Sequence, residues 1–334
     1  MGSFINIIKY SFLLLLIGSA YAQLPGSPYI AVPVNNSFVL DQVGVTPSFA
    51  FSTRKLRAAY NGPALRLVRT TDNSQVDVFF DSNGVVSGNS LVTLVVSGTS
   101  GVATGTSATL TAYQNNSTNT LFVTIWWDQS GNSFPAQQGT QANRPLFVLN
   151  GAGSANQYAS LRFTSASRHR LVVNQNLQTL LTNGLIGAVG LVARPTANTE
   201  QNSFGFMNAS NGAIRWSAHM NWTDGNCYVD LGHAAEQHRT FANGTRLNLY
   251  RQYFFQRAAT TKTLKVSGLT LMNNLTQTNN AALTGTGFGI GMSVNSTSPG
   301  FSGDIPEFIL YKVVLTTSQI SVLENNQISF WGAN

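Results

Sequence analysis

Short apolar segments separated by turns rich in Gly, Asn, Ser and Thr make up most of the chain after residue 90. Segments of this length and spacing are typical of the strands of an all-β sandwich. No charged or proline-rich linker divides them and no short period repeats, which disfavours two independent domains, propellers and solenoids. The clearest predicted strands are Leu91–Ser97, Ala108–Tyr113, Leu121–Trp127, Leu146–Leu149, Leu185–Ala193, Leu247–Phe255, Leu264–Met272, Phe288–Val294 and Phe308–Val314.

Two segments predict helices. The first is Thr53–Tyr60, which follows Ser52 or Thr53 as N-cap and ends at Asn61-Gly62-Pro63. The second begins after Thr316, where Thr316-Thr317-Ser318-Gln319 matches a capping box, and continues to near Gln327. The pattern therefore predicts an all-β fold with a short helix in its N-terminal half and a closing helix at its C-terminus.

The composition points to an exported protein. Only 9% of the 334 residues are charged, whereas 43% are hydrophobic, which excludes a disordered tail protein, a coiled coil and a long helical bundle. The polar surface must then consist of Asn, Ser, Thr and Gln. Such a surface is more typical of a secreted β-protein than of a cytosolic enzyme.

The N-terminus has the pattern of a secretory signal peptide. Lys9 precedes the apolar run Phe12–Ile17, which is followed by the small residues of Ala20-Tyr21-Ala22. The run is too short to span a bilayer, and no later stretch reaches about 18 uninterrupted apolar residues. We therefore expect residues 1–22 to be removed and residues 23–334 to form one extracellular domain. The alternative is that the run forms a short buried or anchoring helix.

A secreted chain with this sequence would offer several glycosylation sites and no internal disulfide. Cys227 is the single cysteine, so it could pair only between chains; its strand-like surroundings favour a small buried residue instead. The eight Asn-x-Ser/Thr sequons are Asn35, Asn115, Asn116, Asn208, Asn221, Asn243, Asn274 and Asn295.

The formal charge of +7 is concentrated in two short groups. A basic group can bind acidic polysaccharide, an anionic membrane or nucleic acid, or can be a solvated face. Because the groups are short and lack interleaved aromatic residues in an exported protein, we expect no nucleic-acid partner. The first group is Arg54, Lys55, Arg57, Arg66 and Arg69, and the second is Arg168-His169-Arg170.

Two segments resemble the catalytic domain of the fungal α-L-arabinofuranosidase B family. The first is Phe51–Arg69, followed by Asp72-Asn73 and Asp77-Val78, and the second is Phe122–Asn132 with its Asp128-Gln129-Ser130-Gly131-Asn132 turn. The same pair of segments occurs in surface proteins with concanavalin-like or laminin-G-like domains. The resemblance implies a two-sheet jelly roll whose concave face, or the loops at its rim, meets carbohydrate.

The catalytic carboxylates of that family are missing from the matching positions. The resemblance places the nucleophilic Glu in a strand of the form Val-Asp-x-Glu-Asn, and the chain has Val229-Asp230-Leu231-Gly232-His233. The acid/base Asp would follow a Gly-Ile-Gly-Gly stretch, where the chain has Ser293. A retaining glycosidase needs two carboxyls about 5–5.5 Å apart. We therefore expect no catalytic residues; if the chain is active, Asp230 with Asp304 or Glu307 is the candidate set.

Aromatic and polar residues around Asp230 are the candidate carbohydrate-binding residues. A tryptophan ring can stack on the apolar face of a pyranose, and polar neighbours can bind its hydroxyls. The alternative for Asp224 is that it caps a turn. The alternative for any single Trp is that it is buried in the core. Trp126 and Trp127 are neighbours on one strand and should therefore point to opposite faces. The candidates are Arg215, Trp216, Trp222, Asp224 and Asp230.

No cofactor or metal is expected. His233 and His238 are five residues apart, so they lie off one helical face and do not match a zinc motif. The Gly285–Gly291 segment lacks the spacing of a nucleotide-binding loop and resembles a closely packed strand. Calcium stays open, because its oxygen ligands leave little trace in a sequence.

Three functions fit this pattern. The first is a secreted, catalytically inactive glycan-binding or structural surface protein built on a glycosidase-derived jelly roll. The second is an active α-L-arabinofuranosidase-type glycoside hydrolase. The third is a coat, filament or adhesion subunit that packs against copies of itself, which low charge and many strand edges permit.

Overall fold

The computed structural model describes residues 38–98, 107–115, 119–153, 157–198, 202–242, 247–279 and 283–333. Within these ranges most of the regular secondary structure is antiparallel β-strand, which confirms the all-β prediction. The strands are β1 (Phe49–Ser52), β2 (Leu65–Arg69), β3 (Gln75–Val78), β4 (Leu91–Val96), β5 (Ser107–Thr109), β6 (Leu121–Trp126), β7 (Ala136–Gln137), β8 (Leu146–Ala152), β9 (Tyr158–Phe163), β10 (Leu171–Asn176), β11 (Gly187–Pro195), β12 (Phe204–Met207), β13 (Ile214–His219), β14 (Asn226–His233), β15 (His238–Ala242), β16 (Arg251–Arg257), β17 (Thr261–Val266), β18 (Leu269–Thr276), β19 (Thr286–Ile290) and β20 (Gly303–Tyr311).

Short helices interrupt the strands. The α-helices are α1 (Val39–Val43), α2 (Leu110–Tyr113), α3 (Leu177–Leu180) and α4 (Thr317–Trp331), and 3₁₀ turns cover Gln141–Asn143 and Ala234–Glu236. No helix of the described residues is long and apolar enough to cross a membrane.

The strand pairings form two layers. The first layer runs in the order β5, β4, β3, β2, β6, β7, β10, β19, β12, β13, β14, β15. The second runs β8, β9, β20, β11, β16, β17, β18, with β1 paired to β20 beyond the end of β9. A single pairing of Phe122 with Leu146 joins the layers. This is the two-sheet sandwich of a jelly roll.

Aromatic side chains fill the space between the layers. Phe204 lies 5.3 Å from Phe255 and 5.4 Å from Phe308 between ring centroids, and Phe288 lies 6.0 Å from Trp216. All five rings are fully buried. Truncation of one such ring to alanine removes about 3–5 kcal/mol of stability, because it leaves a cavity as well as losing buried area.

Two predicted strands are wrong in detail. The segment Leu264–Met272 is a hairpin rather than one strand, because Ser267 and Gly268 turn the chain with φ of 47° and 80°. The segment Ala108–Tyr113 leaves the strand conformation at Leu110, where α2 begins under a side-chain cap from Thr109. Alternation of apolar residues does not reveal such local reversals.

The predicted helix over Thr53–Tyr60 is also wrong. Lys55 donates its backbone N–H to Gly84 O at 2.7 Å, and Leu56 donates to Gln129 Oε1 at 2.8 Å. These distant partners hold the segment extended, so the N-terminal-half helix is α1, which ends at Gly44 with φ of 69°.

The closing helix is confirmed. Thr316 and Gln319 form both hydrogen bonds of the capping box at the start of α4. The helix extends four residues beyond Gln327 to Trp331 and ends at Gly332, whose φ of 61° suits glycine. It packs over the outer side of the second layer, where Leu323 meets the side chains around Ile309.

Candidate functional site

The β13–β14 hairpin brings several predicted site residues to one face of the first layer. Its register pairs Arg215 with Gly232, Ser217 with Asp230 and His219 with Tyr228. Because side chains alternate along a strand, these residues face away from the core that their neighbours fill. Arg215 and Asp230 are therefore brought together as the sequence predicts.

Asp230 is the centre of a buried polar network. Its Oδ2 accepts hydrogen bonds from Arg215 Nε at 2.8 Å and Gln237 Nε2 at 2.9 Å, and lies 3.0 Å from His219 Nε2. Asp230 and His219 are almost completely buried. Among the described residues, Ser217 Oγ, His219 Nδ1 and Asp230 Oδ1 have no hydrogen-bond partner. Buried polar atoms of this kind are normally satisfied, and an enclosed water molecule is the usual partner where no protein group is in reach.

An aromatic pair lies beside this network at the tip of the hairpin. Trp222 and Tyr228 are half-buried, with ring centroids 5.2 Å apart, and the Trp222 ring stands perpendicular to that of His219 at 4.5 Å. Tyr228 Oη donates to Asp224 Oδ2 at 2.8 Å, and Asn226 N donates to Asp224 Oδ1 at 2.9 Å. Asp224 thus caps the turn and fixes the phenol of Tyr228.

The expected role of Trp216 in sugar binding is wrong for this structure. Trp216 points from β13 into the core and is fully buried. Its Nε1 donates to Leu185 O at 2.7 Å, and its ring packs against Phe204 and Phe288. Successive side chains of a strand point to opposite faces of the sheet, so a shift of one residue decides whether a tryptophan is buried or exposed. The sequence pattern alone therefore could not place both Trp216 and Trp222 on a binding face.

Gly232, which the sequence resemblance aligns with the nucleophile of the arabinofuranosidase B family, lies against a buried arginine. Its φ is 139°, and a Cβ at this position would overlap Arg257 Nη1. Arg257 Nη1 donates to Leu231 O at 2.7 Å and Nη2 donates to Asn279 O at 2.8 Å. Burial lowers the pKa of Arg257 to about 10. The space for a side chain at position 232 is therefore taken.

Lys262 adds a second buried cation behind β14. Its Nζ donates to Val229 O at 3.0 Å, to Gln277 Oε1 at 2.9 Å and to the carbonyl of Glu236. Burial lowers the pKa of Lys262 to about 8, against the opposing charges of Asp230 and Glu236. Lys262 and Arg257 thus bind the carbonyls of Val229 and Leu231.

Asp304 and Glu307 lie on the opposite side of the sandwich from Asp230. Their strand β20 sends Ile305 and Phe308 into the core, whereas Glu307 contacts Trp331 of α4 through a 3.1 Å hydrogen bond from Nε1. The core separates this outer face from Asp230. The proposed pairing of Asp230 with either carboxylate is therefore wrong as a catalytic set.

Both of these carboxylates are fully buried and bound by arginine. Asp304 accepts from Arg162 Nε at 2.8 Å and also pairs with Arg194. Glu307 accepts from Arg54 Nε at 2.6 Å and Nη2 at 3.0 Å. Desolvation acts to raise the pKa of Glu307, but the charge and hydrogen bonds of Arg54 outweigh it and the pKa is lowered.

Comparison with solved structures places the fold. No family model matches the sequence, and no curated protein matches it. An arabinofuranosidase complexed with arabinofuranosyl-α-1,2-xylobiose superposes with a TM-score of 0.60 at 12% identity. A GH54 α-L-arabinofuranosidase soaked with a cyclic sulfate inhibitor gives 0.58 at 12% identity. Each alignment covers 87% of this chain and 64% of the solved one.

The chain has the fold of these arabinofuranosidases. It covers less than two thirds of their length. At this level of identity the likeness concerns the fold, and the chemistry of the site has to be argued from its own residues.

Two further residues that the sequence resemblance singles out have structural contacts. Ser293 is buried and its Oγ donates to Phe204 O at 2.6 Å. Asp128 accepts from the backbone N–H groups of Ala50, Ser130 and Phe134 at 2.9, 2.9 and 3.0 Å. Burial raises the pKa of Asp128 despite these bonds. Asp128 therefore organises the turn after β6, as its Asp-x-Ser-Gly-Asn sequence indicates.

Most of the first basic group is neutralised. Arg54 pairs with Glu307, Arg66 with Asp77 at 2.8 Å and Arg69 with Asp72 at 2.6 Å, while Arg57 lies 3.9 Å from Asp41. Acids distant in the sequence, such as Glu307, supply some of these charges. This group is therefore not a basic surface.

The sequons differ in accessibility. Asn115, Asn274 and Asn295 are exposed and Asn208 is half-buried. Asn221 is fully buried, and its Nδ2 donates to Ala197 O and Asn198 Oδ1 at 2.6 Å each. Its predicted glycosylation is therefore contradicted by its burial. Three sequons lie outside the described residues: Asn35, Asn116 and Asn243.

The described part of the chain contains no group of three or more His, Cys, Asp and Glu side chains placed to hold a metal ion. His233 Nδ1 accepts a hydrogen bond from Ala235 N at 3.0 Å, which begins the 3₁₀ turn. Cys227 is buried in β14, and burial raises the pKa of its thiol.

Proposed function

We propose that this chain is a secreted protein that binds carbohydrate at the tip of the β13–β14 hairpin and does not hydrolyse it. The observation that carries the proposal is the half-buried pair of Trp222 and Tyr228 next to the carboxylate of Asp224 and the buried network of Asp230. The related enzymes act on sugars, and one is complexed with an arabinofuranosyl oligosaccharide.

The aromatic pair has the chemistry of a sugar subsite. A half-exposed ring can stack on the C–H face of a sugar, while neighbouring carboxylates and guanidinium groups bind its hydroxyls. His219 supports the Trp222 ring from its edge and is itself held at 3.0 Å from Asp230. The ring is therefore preorganised, which lowers the entropy lost on binding.

The proposed absence of hydrolysis is based on the state of three carboxylates. Retaining hydrolysis needs a free carboxylate as nucleophile and a second carboxyl as acid/base on either side of one bond. Asp230 is bound by Arg215, while Asp304 and Glu307 are bound by other arginines on the other side of the core. Position 232 has no side chain and no room for one.

The test combines binding and turnover. Purified protein is applied to an array of plant and microbial glycans, and the best ligand is titrated by calorimetry. Trp222→Ala should weaken binding about tenfold or more, since a stacked ring contributes about 0.5–1.5 kcal/mol beyond its buried area. Trp127→Ala is the matched control, because Trp127 is also half-buried but is held by Arg66 and Asp77.

Three outcomes would contradict the proposal. Release of nitrophenol from an aryl α-L-arabinofuranoside that disappears in Asp230→Asn would identify an active glycosidase. Concentration-dependent assembly with no glycan retained would favour a coat, filament or adhesion subunit. Secreted protein whose first residue precedes Gln23 would contradict removal of residues 1–22.

A further inference from the structure

Three neighbouring strands of the first layer end at the same rim. Val172 of β10 pairs with Gln137 of β7, and Leu171 pairs with Ile290 of β19. Residues just before β10, just after β7 and just after β19 therefore lie side by side, although they are distant in the sequence.

Two arginines meet at this rim. The backbone N–H of Arg170 donates to Asn143 O at 2.9 Å, which places Arg144 next to the start of β10. Gln138 links the two, because its carbonyl accepts from Arg144 Nε at 3.2 Å and its Nε2 donates to Arg170 O at 3.2 Å. Arg170 Nη1 lies 4.0 Å from the sulfur of Met292, just after β19.

Arg168 extends the group along the loop that follows β19. Its Nη2 donates to Ser296 O at 2.9 Å and its Nη1 to Thr297 O at 3.2 Å. Arg168 itself has a φ of 52° at the tip of the β9–β10 turn. The guanidinium group is thus fixed in position by neutral carbonyls while the side chain stays exposed.

None of these three arginines pairs with a carboxylate of the described residues. Arg144 is bound by the carbonyls of Gln138 and Gly139, and burial lowers its pKa, as expected for a cation without a counter-ion. Arg168 and Arg170 contact carbonyls and a thioether. The first basic group differs, because Arg54, Arg66 and Arg69 are each paired with a carboxylate. We call Arg144, Arg168 and Arg170 the arginine rim.

The arginine rim and the sugar subsite lie at the same end of the first layer. Beyond β19, Ile290 pairs with Phe204 of β12, and Phe204 pairs with Ala218 of β13, one residue before His219. From β10 to β13 there are three strand spacings, or about 14 Å. A short oligosaccharide can span that distance.

We infer that the glycan bound at this site is acidic and carries its carboxylate or sulfate group at the arginine rim. This inference rests on the proposed function at Trp222. Guanidinium groups form charge-assisted, bidentate hydrogen bonds with planar carboxylates and with sulfate oxygens. The exposed carboxylate of Asp224 disfavours an anion at the aromatic end, so a neutral sugar belongs there and the acidic sugar at the other end.

The experiment compares acidic and neutral ligands. Binding to polygalacturonate, heparin and neutral arabinan is measured by affinity electrophoresis at two salt concentrations. We expect the acidic ligands to be retained more strongly at low salt, because screening weakens exposed charge interactions. Polygalacturonate and heparin distinguish carboxylate from sulfate as the anion.

The variants assign that retention to the arginine rim. Arg168→Gln with Arg170→Gln should weaken acidic-ligand binding about tenfold, since each charge-assisted hydrogen bond contributes strongly. Arg168→Lys with Arg170→Lys keeps the charge and should recover part of the loss. Lys55→Gln with Lys312→Gln removes the same net charge elsewhere and should change binding little.

Each failure is distinguishable. One result is that neutral and acidic glycans bind equally, with no change in the double variant of Arg168 and Arg170. That result overturns the inference of an acidic ligand and leaves the proposal of sugar binding at Trp222 intact. If the double variant of Lys55 and Lys312 weakens binding of acidic ligands by the same factor, the effect is one of net charge. That result also overturns the inference of an acidic ligand at the arginine rim. If the unmodified protein binds no glycan at all, both proposals are contradicted.

Discussion

The guanidinium group of Arg257 occupies the space in which a side chain at Gly232 would lie. Arg257 Nη1 donates to Leu231 O at 2.7 Å, so the arginine also binds the carbonyl of the residue that precedes Gly232. A side chain at position 232 therefore cannot be accommodated unless this buried cation moves.

Introducing a carboxylate should therefore destabilise the protein without creating activity. Gly232→Glu forces a side chain into Arg257 at a φ of 139°, and we expect a loss of about 3–5 kcal/mol in the free energy of unfolding. Urea denaturation measures this. Gly139→Glu is the control, since nothing lies within 4 Å of a Cβ there, and should change stability by less than about 0.5 kcal/mol. Arabinofuranosidase turnover by Gly232→Glu would contradict the expectation.

Lys262 should give the protein an unusual alkaline stabilisation. Because burial lowers its pKa to about 8 in the folded state from 10.5, the unfolded chain binds its proton more tightly. The free energy of unfolding therefore rises with pH from about 8 towards 10, by up to about 3 kcal/mol from this group. Denaturation with urea at several pH values gives the slope. Lys262→Met should reduce the slope of the free energy of unfolding against pH, and the exposed Lys312→Met should not. A slope in Lys262→Met equal to that of the unmodified protein would contradict the assignment to Lys262.

Glu307 should be among the most sensitive carboxylates of the described chain. Glu307→Gln leaves Arg54 buried without its counter-ion, and we expect a loss of about 3–5 kcal/mol. Because its pKa is lowered on folding, its contribution is present at neutral pH and is lost as the pH falls through the folded value. The control variant is Asp41→Asn, because Asp41 and its partner Arg57 are partly exposed and 3.9 Å apart. We expect this variant to lose less than about 1 kcal/mol in the free energy of unfolding. Equal effects on the thermal midpoint would contradict this difference.

Cys227 should be chemically silent in the native protein. It is buried, and burial raises the pKa of its thiol, so little thiolate is present at neutral pH. We expect no reaction with Ellman's reagent until denaturant is added, and a single monomer band on non-reducing electrophoresis. Rapid native labelling, or a disulfide-linked dimer, would show that β14 opens more readily than its packing indicates.

Glycan occupancy should follow exposure. In protein secreted from a eukaryotic host, peptide mapping should find Asn221 unmodified, because its amide is buried and bonded to Ala197 O and Asn198 Oδ1. Asn274 and Asn295 are exposed and are the matched comparison. Substantial occupancy at Asn221 would contradict this expectation and would mean that the glycan is attached before the β13–β14 hairpin folds.

Local features of the fold could be predicted because their causes are local. The capping box of Thr316 and Gln319 is complete within four residues, and both of its hydrogen bonds are present. Trp126 is buried and its neighbour Trp127 is half-buried, as strand alternation requires. The predicted helix at Thr53–Tyr60 failed because its hydrogen-bond partners, Gly84 and Gln129, are distant in the sequence.

The sequence by itself determined the all-β character, the closing helix and the absence of a side chain at Gly232, because periodicity, caps and residue identity are read directly from the chain. Only the tertiary structure decided which charges remain unpaired and which tryptophan reaches the surface. Glu307 neutralises Arg54 across 253 positions of sequence, whereas Arg170 meets Asn143 and no acid of the described residues. Pairing of charges depends on which strands become neighbours, and that is fixed by long-range register rather than by local pattern.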